Sequence, residues 1–438
     1  MNICLIAPQI NFSTDIKKLE EFWHEFGKNE PNKNIWSGVS TALLTIAGLT
    51  PSNYNIEFVD ENYDSIDFLK EYDLVGISVM TANAMRAYAI ADKFRENKIK
   101  VVLGGVHPTL LPEEAKLHAD SIVIGEAEYL WRELLDDFEK KSLKPFYKSE
   151  KKVNLEDSPM PRYDLLKAEN YSHIWLQTTR GCPHDCEYCT ASKIFGSGYR
   201  RKSDNQILNE LKYIKNHFPN KQIFFADDNF FAQRKAMIPL LKQIANLKCR
   251  WNAQCDIAVG EDPDFIKLLR KSGCVLLFIG IETISEEGLI SLDSQNWKYK
   301  QLKNLCTYIN NIQQNGVGVM GSFMVGLDSD DNFIFKKLSN FIIDNYLYHA
   351  SITILTPVFG TRLRSRLEKE NRILPTTSEK YTGYNVNFIP KKMTIQELEN
   401  GLVSVFKTIF SKEILQKKME YFKQIQKKII LQEEKILQ

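Results

Sequence analysis

The fold of this 438-residue chain is decided by one stretch, Thr179-Arg180-Gly181-Cys182-Pro183-His184-Asp185-Cys186-Glu187-Tyr188-Cys189-Thr190. It places three of the eight cysteines in the spacing C-x3-C-x2-C, directly after the apolar-alternating segment 174–178. Three thiolates on one tight loop can face a single point, and thiolates are the usual ligands of iron–sulfur clusters. Three ligands for a four-iron cluster leave one iron open to bind and reduce a small molecule.

Two other chemistries fit three clustered cysteines less well. A zinc site normally has four ligands in two short pairs, and the next cysteine along the chain is the distant Cys249. His184 lies inside the loop and could complete a set of four, so zinc stays open as an alternative. A disulfide framework does not suit a chain that starts on a strand pattern without a basic leader. We therefore expect a cytoplasmic protein with reduced thiols.

Charge and hydropathy limit the partners of the chain. Lys and Arg number 57 against 55 Asp and Glu, so the total charge gives no reason to expect a nucleic-acid partner. Hydrophobic residues make up 43% of the chain, which is ample for the cores of two or three domains. The longest apolar run, 274–281, is far shorter than the roughly 20 residues that cross a bilayer. We expect no transmembrane segment.

The cysteine spacing, with Tyr188 just before the last cysteine and a predicted strand in front, resembles the signature of radical S-adenosylmethionine (SAM) enzymes. The resemblance implies that Cys182, Cys186 and Cys189 hold a [4Fe-4S] cluster whose open iron binds the amino and carboxylate groups of SAM. It implies that Tyr188 lies against the adenine of SAM. It also implies an external electron donor of the flavodoxin or ferredoxin type, whose electron splits SAM to give a 5′-deoxyadenosyl radical.

Residues 1–142 alternate short apolar strands with helical patterns, which predicts a doubly wound parallel sheet with ligands at the carboxyl ends of its strands. Followed by the cysteine loop, this pattern resembles the cobalamin-binding domain of B12-dependent radical SAM enzymes. His107 either faces the ligand or caps the next helix. The resemblance implies a cobalamin site formed by the residues at the strand ends: Ser78, Met80, Thr81, Gly104, Gly105, His107, Gly125 and Glu126.

The chain departs from other cobalamin domains, which carry D-x-H-x-x-G with a histidine that coordinates cobalt. The similar string at 22–27 lacks the aspartate that would orient the ring of His24. We expect His24 to be an ordinary surface residue and, if cobalamin binds, no histidine below the cobalt. A domain that has lost cobalamin stays the alternative.

Residues 143–172 resemble a linker, and residues 173–375 predict a partial (β/α)6 barrel in which chemistry gathers at the carboxyl ends of the strands. Asp227 and Asp228 end the second barrel strand. Neighbouring side chains on a strand point opposite ways, so at most one of the two faces the site. The resemblance implies SAM contacts from residues at or after these strand ends: Asp227, Asp228, Gln254, Glu282, Gly321 and Gly326.

The region 376–438 predicts a helical extension, and its pattern resembles B12-binding radical SAM enzymes related to hopanoid-pathway proteins. Arg362, just before it, either grips a substrate anion or lies on the surface. Residues 412–438 are amphipathic, with lysines opposite an apolar face of Leu415, Met419, Phe422 and Ile425 or Ile429. This face would pack on the barrel or a second subunit; peripheral docking to an anionic membrane is the alternative.

The resemblance implies a methyltransferase that acts on an unactivated carbon of a small-molecule or lipid substrate. One SAM would supply the radical, and a second would remethylate the cobalamin that delivers the methyl group. The first alternative keeps the architecture but forms a carbon–carbon bond, cyclises or rearranges its substrate. The second alternative is a non-catalytic iron–sulfur or zinc protein.

Overall fold

The computed structural model describes residues 1–10, 14–27, 38, 40–196, 198–290 and 292–437. Two six-stranded parallel sheets form the body of the protein, and a two-stranded antiparallel ribbon accompanies them. This arrangement confirms the predicted α/β class, with a doubly wound sheet followed by a partial barrel and a helical C-terminal extension.

The first sheet has the strand order β2-β1-β3-β4-β5-β6, with every pairing parallel. Its strands are buried on both faces, which explains why they read as short apolar runs. Side chains alternate along β1, so that Cys4 and Ile6 enter one core while Ile3 and Leu5 enter the other. The elements of this sheet are β1 (Asn2–Ala7), α1 (Lys17–Gly27), α2 (Thr41–Leu49), β2 (Asn55–Asp60), β3 (Leu74–Ser78), α3 (Ala84–Glu96), β4 (Lys100–Gly104), α4 (Val106–Leu110), α5 (Pro112–Lys116), β5 (Ser121–Ile124), α6 (Trp131–Glu139) and β6 (Phe146–Lys148).

Strand β6 lies inside the segment that the sequence assigns to a linker. It pairs with β5 through Ile122, Val123 and Ile124, and Tyr147 is buried against the sheet. Three residues among lysines and prolines give no periodic signal, so only the pairing partner reveals the strand. The residue boundaries of the four predicted segments stay predictions.

The second sheet has the order β14-β13-β12-β11-β10-β7 and forms the partial barrel. Its outer face packs on helices through one large core, while the carboxyl ends of its strands face the cysteine loop. The elements of this part of the chain, in which β8 and β9 form the separate antiparallel ribbon, are β7 (His173–Leu176), β8 (Thr179–Arg180), α7 (Ala191–Phe195), β9 (Arg200–Arg201), α8 (Asp204–His217), β10 (Gln222–Phe225), α9 (Arg234–Leu247), β11 (Trp251–Cys255), α10 (Pro263–Lys271), β12 (Cys274–Glu282), α11 (Glu286–Leu289), α12 (Trp297–Gln301), α13 (Leu305–Gln314), β13 (Gly318–Val325), α14 (Phe333–Asp344) and β14 (His349–Ile354).

Three helices complete the chain: α15 (Arg362–Lys369), α16 (Ile395–Ile409) and α17 (Lys412–Leu437). Helix α17 packs on the amino-terminal end of the barrel, where Tyr421 stacks on Tyr346 at 4.4 Å and Phe422 meets Tyr348 at 5.0 Å. Ile425 is buried there. Met419, predicted on the buried face, is instead 57% exposed. Among the described residues, no helix combines the length and apolarity needed to cross a bilayer.

Candidate active site

The cysteine loop leaves β8 and folds against the carboxyl ends of the barrel strands. Its turn depends on Gly181, whose φ is +92°, and a Cβ there would lie 2.2 Å from the carbonyl oxygen of Gly198. Two backbone bonds hold the far side of the loop: Glu187 N–H donates to Leu292 at 2.9 Å, and Leu363 N–H donates to Glu187 at 2.9 Å. The loop is therefore fixed by segments distant from it in sequence.

The three loop thiols are half-buried and free. Burial raises the pKa of each of Cys182, Cys186 and Cys189 to about 11, and neighbouring thiols and carboxylates act in the same direction. Lys298 partly opposes this effect at Cys186. Because buried thiols with so little cationic support stay protonated, they need bound metal to become thiolates.

The two adjacent carboxylates after β10 have different tasks. Asp227 is buried and points back to the start of the loop, where it accepts bonds from the N–H groups of Thr178 and Thr179 at 2.7 and 2.8 Å and from the Thr178 hydroxyl. Asp228 lies close enough to Cys182 and Cys189 that its charge helps to raise the pKa of both thiols, while burial raises the pKa of Asp228 itself. Of the pair, only Asp228 faces the loop thiols, while Asp227 stabilises the backbone.

Glu282 ends β12 at a register irregularity, with a left-handed φ of +71°. Its carboxylate is buried and lies 2.8 Å from the ammonium of Lys298, which also donates to the carbonyl of Gly280 at 2.7 Å. The Tyr188 hydroxyl lies within interaction range of the same carboxylate, and burial together with Glu282 raises the pKa of Tyr188. The sequence identified Glu282 and Tyr188 but missed Lys298, which is in contact with Glu282 only after folding.

A second polar group missed by sequence reasoning lies beside the loop. His184 is 3.5 Å from Asp256 and stacks on the indole of Trp297. Asn229 donates to the same Asp256 carboxylate at 3.0 Å. The predicted residue Gln254 is half-buried near the end of β11, two residues before Asp256. Asp256 and Asn229 follow β11 and β10, and Trp297 begins α12. Each is a single residue without a periodic or motif signal of its own.

An open cleft of about 1070 Å³, including its mouth, separates the first sheet from the cysteine loop. Residues of the first sheet and its connections line it, together with Gln177, Arg180, Ile194 and Phe195 from the segments that flank the cysteine loop. The Thr109 hydroxyl donates to the carbonyl of Gly105 at 2.7 Å and accepts the N–H of Gly125 at 2.9 Å. It therefore holds two glycine turns of the cleft at a fixed spacing. The predicted residues that line the cleft are Ser78, Met80, Gly104, Gly105, Gly125 and Glu126.

Two predicted cobalamin residues do not line this cleft. His107 is fully buried, with Nε2 3.1 Å from Glu114 and Nδ1 3.4 Å from the Thr81 hydroxyl. Thr81 is buried with it. Burial lowers the pKa of His107, and Glu114 partly opposes this. The ring also contacts Phe359, from the loop after β14. His107 therefore links helices α4 and α5 of the first domain to the barrel domain and does not face the cleft.

Glu126 lines the cleft, but its carboxylate is occupied by protein. It lies 2.9 Å from Arg180 and 2.8 Å from Arg200, and Arg180 also pairs with Glu128 at 2.6 Å. Both arginines come from the barrel half of the chain. The prediction of Glu126 as a direct cobalamin contact is therefore corrected to an interdomain ion pair, and the arginines are residues that the sequence did not single out.

Two predicted glycines serve packing away from the cysteine loop. A Cβ at Gly321 would lie 2.7 Å from the ring of Phe323 and 3.1 Å from Leu347. Gly326 has a φ of +92°, donates its N–H to Asp330 at 2.9 Å and faces Leu398 of α16. Both glycines therefore accommodate core side chains, and the SAM contacts that the resemblance implies for them stay predictions.

Arg362, whose role the sequence left open, begins α15, and Phe359 lies in the loop before it. Arg362 is exposed, but it donates to the backbone carbonyl of Asp185 in the cysteine loop and lies 3.4 Å from that carboxylate. Phe359 is covered by the guanidinium of Arg364 at 4.6 Å and by Tyr381 at 5.1 Å. Aromatic and cation–π packing therefore holds the loop after β14 in place.

Comparison with known proteins agrees with this geometry. Residues 176–338 match the Radical SAM superfamily, residues 42–135 match the B12 binding domain, and residues 361–435 match a domain of unknown function. The bacteriochlorophyllide d C-12(1)-methyltransferase of Chlorobaculum tepidum is 30% identical over 388 residues, which cover 86% of this chain and 84% of that protein. The chain belongs to the cobalamin-binding radical SAM family. The hopanoid C-2 methylase of Rhodopseudomonas palustris is a further relative of this radical SAM enzyme, 25% identical over 76% of this chain and 64% of that protein.

Solved structures share the fold of this radical SAM enzyme. The match to the cobalamin-dependent SAM radical enzyme OxsB covers 97% of this chain and 70% of the OxsB chain, with a TM-score of 0.72 at 15% identity. The match to the radical SAM methyltransferase TsrM from Kitasatospora setae covers 84% of this chain and 78% of the TsrM chain, with a TM-score of 0.61 at 13% identity. The likeness extends over both sheets.

The three thiols of this radical SAM enzyme fit a [4Fe-4S] cluster better than a single ion. Within the described part of the chain, no three His, Cys, Asp or Glu side chains converge on one ion. Zinc needs donors about 2.0–2.3 Å from one centre, whereas a four-iron cube binds each cysteine through a different iron. Cys182, Cys186 and Cys189 would hold the cluster.

The cleft of this radical SAM enzyme fits a large flat ligand such as cobalamin. A Cβ at Gly125 would point into empty space, and one at Gly105 would collide with the backbone of Val79 at 2.9 Å. Glycines at such edges let a ligand approach the backbone closely. The described residues that line the cleft include no histidine, and the expectation that no histidine lies below the cobalt stays a prediction. Cobalamin, SAM and the cluster are the cofactors of this family.

We expect Asp227→Ala and Asp228→Ala to affect different properties of this radical SAM enzyme. Asp227→Ala leaves two buried N–H groups unpaired and should lower the free energy of unfolding by roughly 3 kcal/mol. Asp228→Ala should weaken SAM binding about tenfold, since Asp228 alone faces the loop thiols. Urea unfolding and equilibrium dialysis of SAM with the reconstituted protein measure the two effects. Unchanged SAM binding in Asp228→Ala would remove Asp228 from the SAM site.

His107→Ala should leave the absorption spectrum of bound cobalamin unchanged and lower the stability of this enzyme by roughly 3 kcal/mol, because it removes a buried ring and two polar contacts. The folded pKa of His107 is lowered, so only the unfolded state gains its proton as the pH falls below about 6.5. Wild-type stability should therefore fall across that range, and His107→Ala should lose that part of the dependence. The exposed His24→Ala is the matched control. A cobalt ligand-field change in His107→Ala would contradict the assignment.

Proposed function

We propose that this enzyme transfers a methyl group to an unactivated carbon of a large, apolar ring substrate. The observation that carries the proposal is the cleft, whose glycine turns on one side face Gln177, Arg180, Ile194 and Phe195 on the other. Because these four residues flank the cysteine loop, the cleft supports a cobalamin site beside a SAM-cleaving site. When bound, the cluster and SAM supply a 5′-deoxyadenosyl radical that removes a hydrogen atom, and cobalamin supplies the methyl group. The named relatives that methylate bacteriochlorophyllide and hopanoids support the same reaction.

The inner face of the barrel supports an apolar substrate. Ile174 and Leu176 are buried in the helix-side core, so Trp175 between them points to the inner face. Phe224 alternates in the same way on β10, and its ring lies 5.2 Å from the indole of Trp175. The two adjacent half-buried rings are tilted by 36° to each other and together provide an apolar surface for a ring substrate. A polycyclic or macrocyclic substrate matches this surface better than a charged one.

The chain itself prepares the site in two ways. Lys298 holds the Glu282 carboxylate in a fixed position at a strand end, where burial strengthens its interaction with a bound cation or hydroxyl. Ile194 and Phe195 line the cleft beside the loop. Apolar side chains at this position exclude water, which protects a radical from quenching.

The enzyme needs a reductant. We propose a flavodoxin or ferredoxin type donor and a cytoplasmic location, because buried cysteines that must bind a cluster need a reducing compartment. Reduction of the reconstituted cluster by purified flavodoxin with its reductase, followed by SAM cleavage, tests the donor.

The reaction is tested with anaerobically reconstituted protein, SAM carrying a deuterated methyl group, and a panel of bacteriochlorophyllides and hopanoid lipids. A methyltransferase gives a product with the labelled methyl group, together with S-adenosylhomocysteine and 5′-deoxyadenosine. A substrate that is consumed with 5′-deoxyadenosine as the only SAM product would establish the alternative of a cyclisation or rearrangement. Trp175→Ala, which removes half of the aromatic surface, should raise the KM for an apolar substrate more than tenfold.

A further inference from the structure

Four charged side chains are buried where the two sheets meet, and we name them the interdomain network: Arg180, Arg200, Glu126 and Glu128. Their exposed side-chain fractions are 10%, 18%, 5% and 5%. The arginines face each other across the antiparallel ribbon of β8 and β9. The glutamates lie on the turn that follows β5. The network is neutral, with two charges of each sign.

Arg180 uses each of its nitrogens. Nε donates to Gln177 at 2.8 Å, Nη1 lies 2.9 Å from Glu126, and Nη2 lies 2.6 Å from Glu128. A planar guanidinium fixes these three directions together, whereas a lysine ammonium is a single point charge. Arg180 therefore sets an orientation as well as a distance.

Arg200 extends the network to the connector and to the helix after the cysteine loop. It donates to the carbonyls of Val153 at 2.6 Å and Phe195 at 3.2 Å. Val153 N–H in turn donates to Glu126 at 3.3 Å. The same group of charges thus joins the turn after β5, the connector at Val153 and the end of α7 at Phe195.

The position of the network in the chain links two binding regions directly. Arg180 precedes the loop residue Cys182 by two positions, and Glu126 follows Gly125 of the cleft. Buried ion pairs add little net stability compared with apolar packing of equal volume, so stability alone does not account for four charges at this place. What such a group does provide is one well-defined arrangement of the parts it joins.

We propose that Arg180 is a positioning residue that holds the glycine turn of the cleft at a fixed distance from the cysteine loop. Building on the proposed function, the network keeps the cobalamin and the cluster in one relative position, so that SAM cleavage and methyl delivery stay coupled. Without it, both sites persist but their separation varies.

The test measures that separation without needing the substrate. The protein is loaded with its cluster and with hydroxocobalamin, and both are reduced to their paramagnetic states. Pulsed dipolar electron paramagnetic resonance then gives the distribution of distances between them. Arg180→Met combined with Glu128→Met removes one charge of each sign and leaves Glu126 paired with Arg200. We expect the width of the distribution to grow at least twofold, and the ratio of S-adenosylhomocysteine to 5′-deoxyadenosine to fall at least fivefold.

The matched control removes the buried pair Lys202–Glu210, whose charged groups lie 2.6 Å apart and, within the described residues, do not contact the first sheet. Glu210 also accepts the hydroxyl of Tyr163 in the connector at 3.2 Å, so this control removes a connector contact as well as an ion pair. Lys202→Met with Glu210→Met should keep the wild-type width. Arg180→Lys, which keeps the charge but not the fork, serves if the double variant does not fold, and it should give an intermediate width. A wild-type distribution in the folded Arg180 variants would overturn the proposal. A wild-type enzyme that never forms S-adenosylhomocysteine would refute the methyltransferase function instead, while the dipolar result would still decide the role of Arg180.

Discussion

Replacing Cys182, Cys186 and Cys189 together by alanine is expected to abolish iron binding and SAM cleavage. The three thiols are half-buried on a loop fixed by distant segments, and in the described chain no other set of His, Cys, Asp or Glu converges on a metal. Iron content should fall from about four atoms per chain to background. The formation of 5′-deoxyadenosine under reductant should fall below detection. Iron and sulfide analysis with chromatography of the SAM products measures both.

The control for this variant is Cys306→Ala, because Cys306 is exposed and free. It should retain full iron content and SAM cleavage. Iron retained by the triple variant at the wild-type level would mean that other residues hold the cluster.

Gly181→Ala is expected to disrupt the cysteine loop with only one added carbon. The left-handed φ of Gly181 costs an alanine about 1–2 kcal/mol, and the new Cβ would lie 2.2 Å from a backbone carbonyl that cannot turn aside. The backbone must therefore move, and it carries the neighbouring residue Cys182 with it. Cluster content after reconstitution should fall severalfold, and SAM cleavage should fall at least in proportion.

Gly198→Ala is the matched control, since a Cβ at Gly198 meets nothing within 4 Å. Gly198→Ala adds the same single carbon to the segment that faces Gly181, but it places that carbon in open space and leaves the Gly198 carbonyl contact unchanged. Equal cluster content in both would show that the loop accommodates the change, and would remove the steric argument for Gly181.

The sequence identified the site through spacing but could not assign its neighbouring residues. Alternation along a strand showed that at most one of Asp227 and Asp228 faces the site, and the structure selects Asp228 because Asp227 is bound by two backbone N–H groups. His107 was left between two roles, and its burial beside Glu114 decides for the structural one. Each decision depended on a partner that lies elsewhere in the chain.

The glycines show what pattern alone leaves undecided. Gly104, Gly105 and Gly125 line the cleft. Gly321 and Gly326 accommodate the side chains of Phe323 and Leu398, and their contacts with SAM stay predictions. A glycine indicates that some group approaches the backbone closely, but it does not indicate whether that group is a ligand or a side chain.

The sequence by itself determined the fold class, the cysteine loop and the family, because apolar periodicity and the spacing of three cysteines are local properties of the chain. Only the tertiary structure decided that Lys298 pairs with Glu282, that β6 joins the first sheet, and that Arg180 and Arg200 bind Glu126. These partners are tens of residues apart, and an ion pair or a short strand leaves no periodic trace in either segment. The cysteine loop could be recognised from its own residues, whereas what holds it beside the cleft required the folded chain.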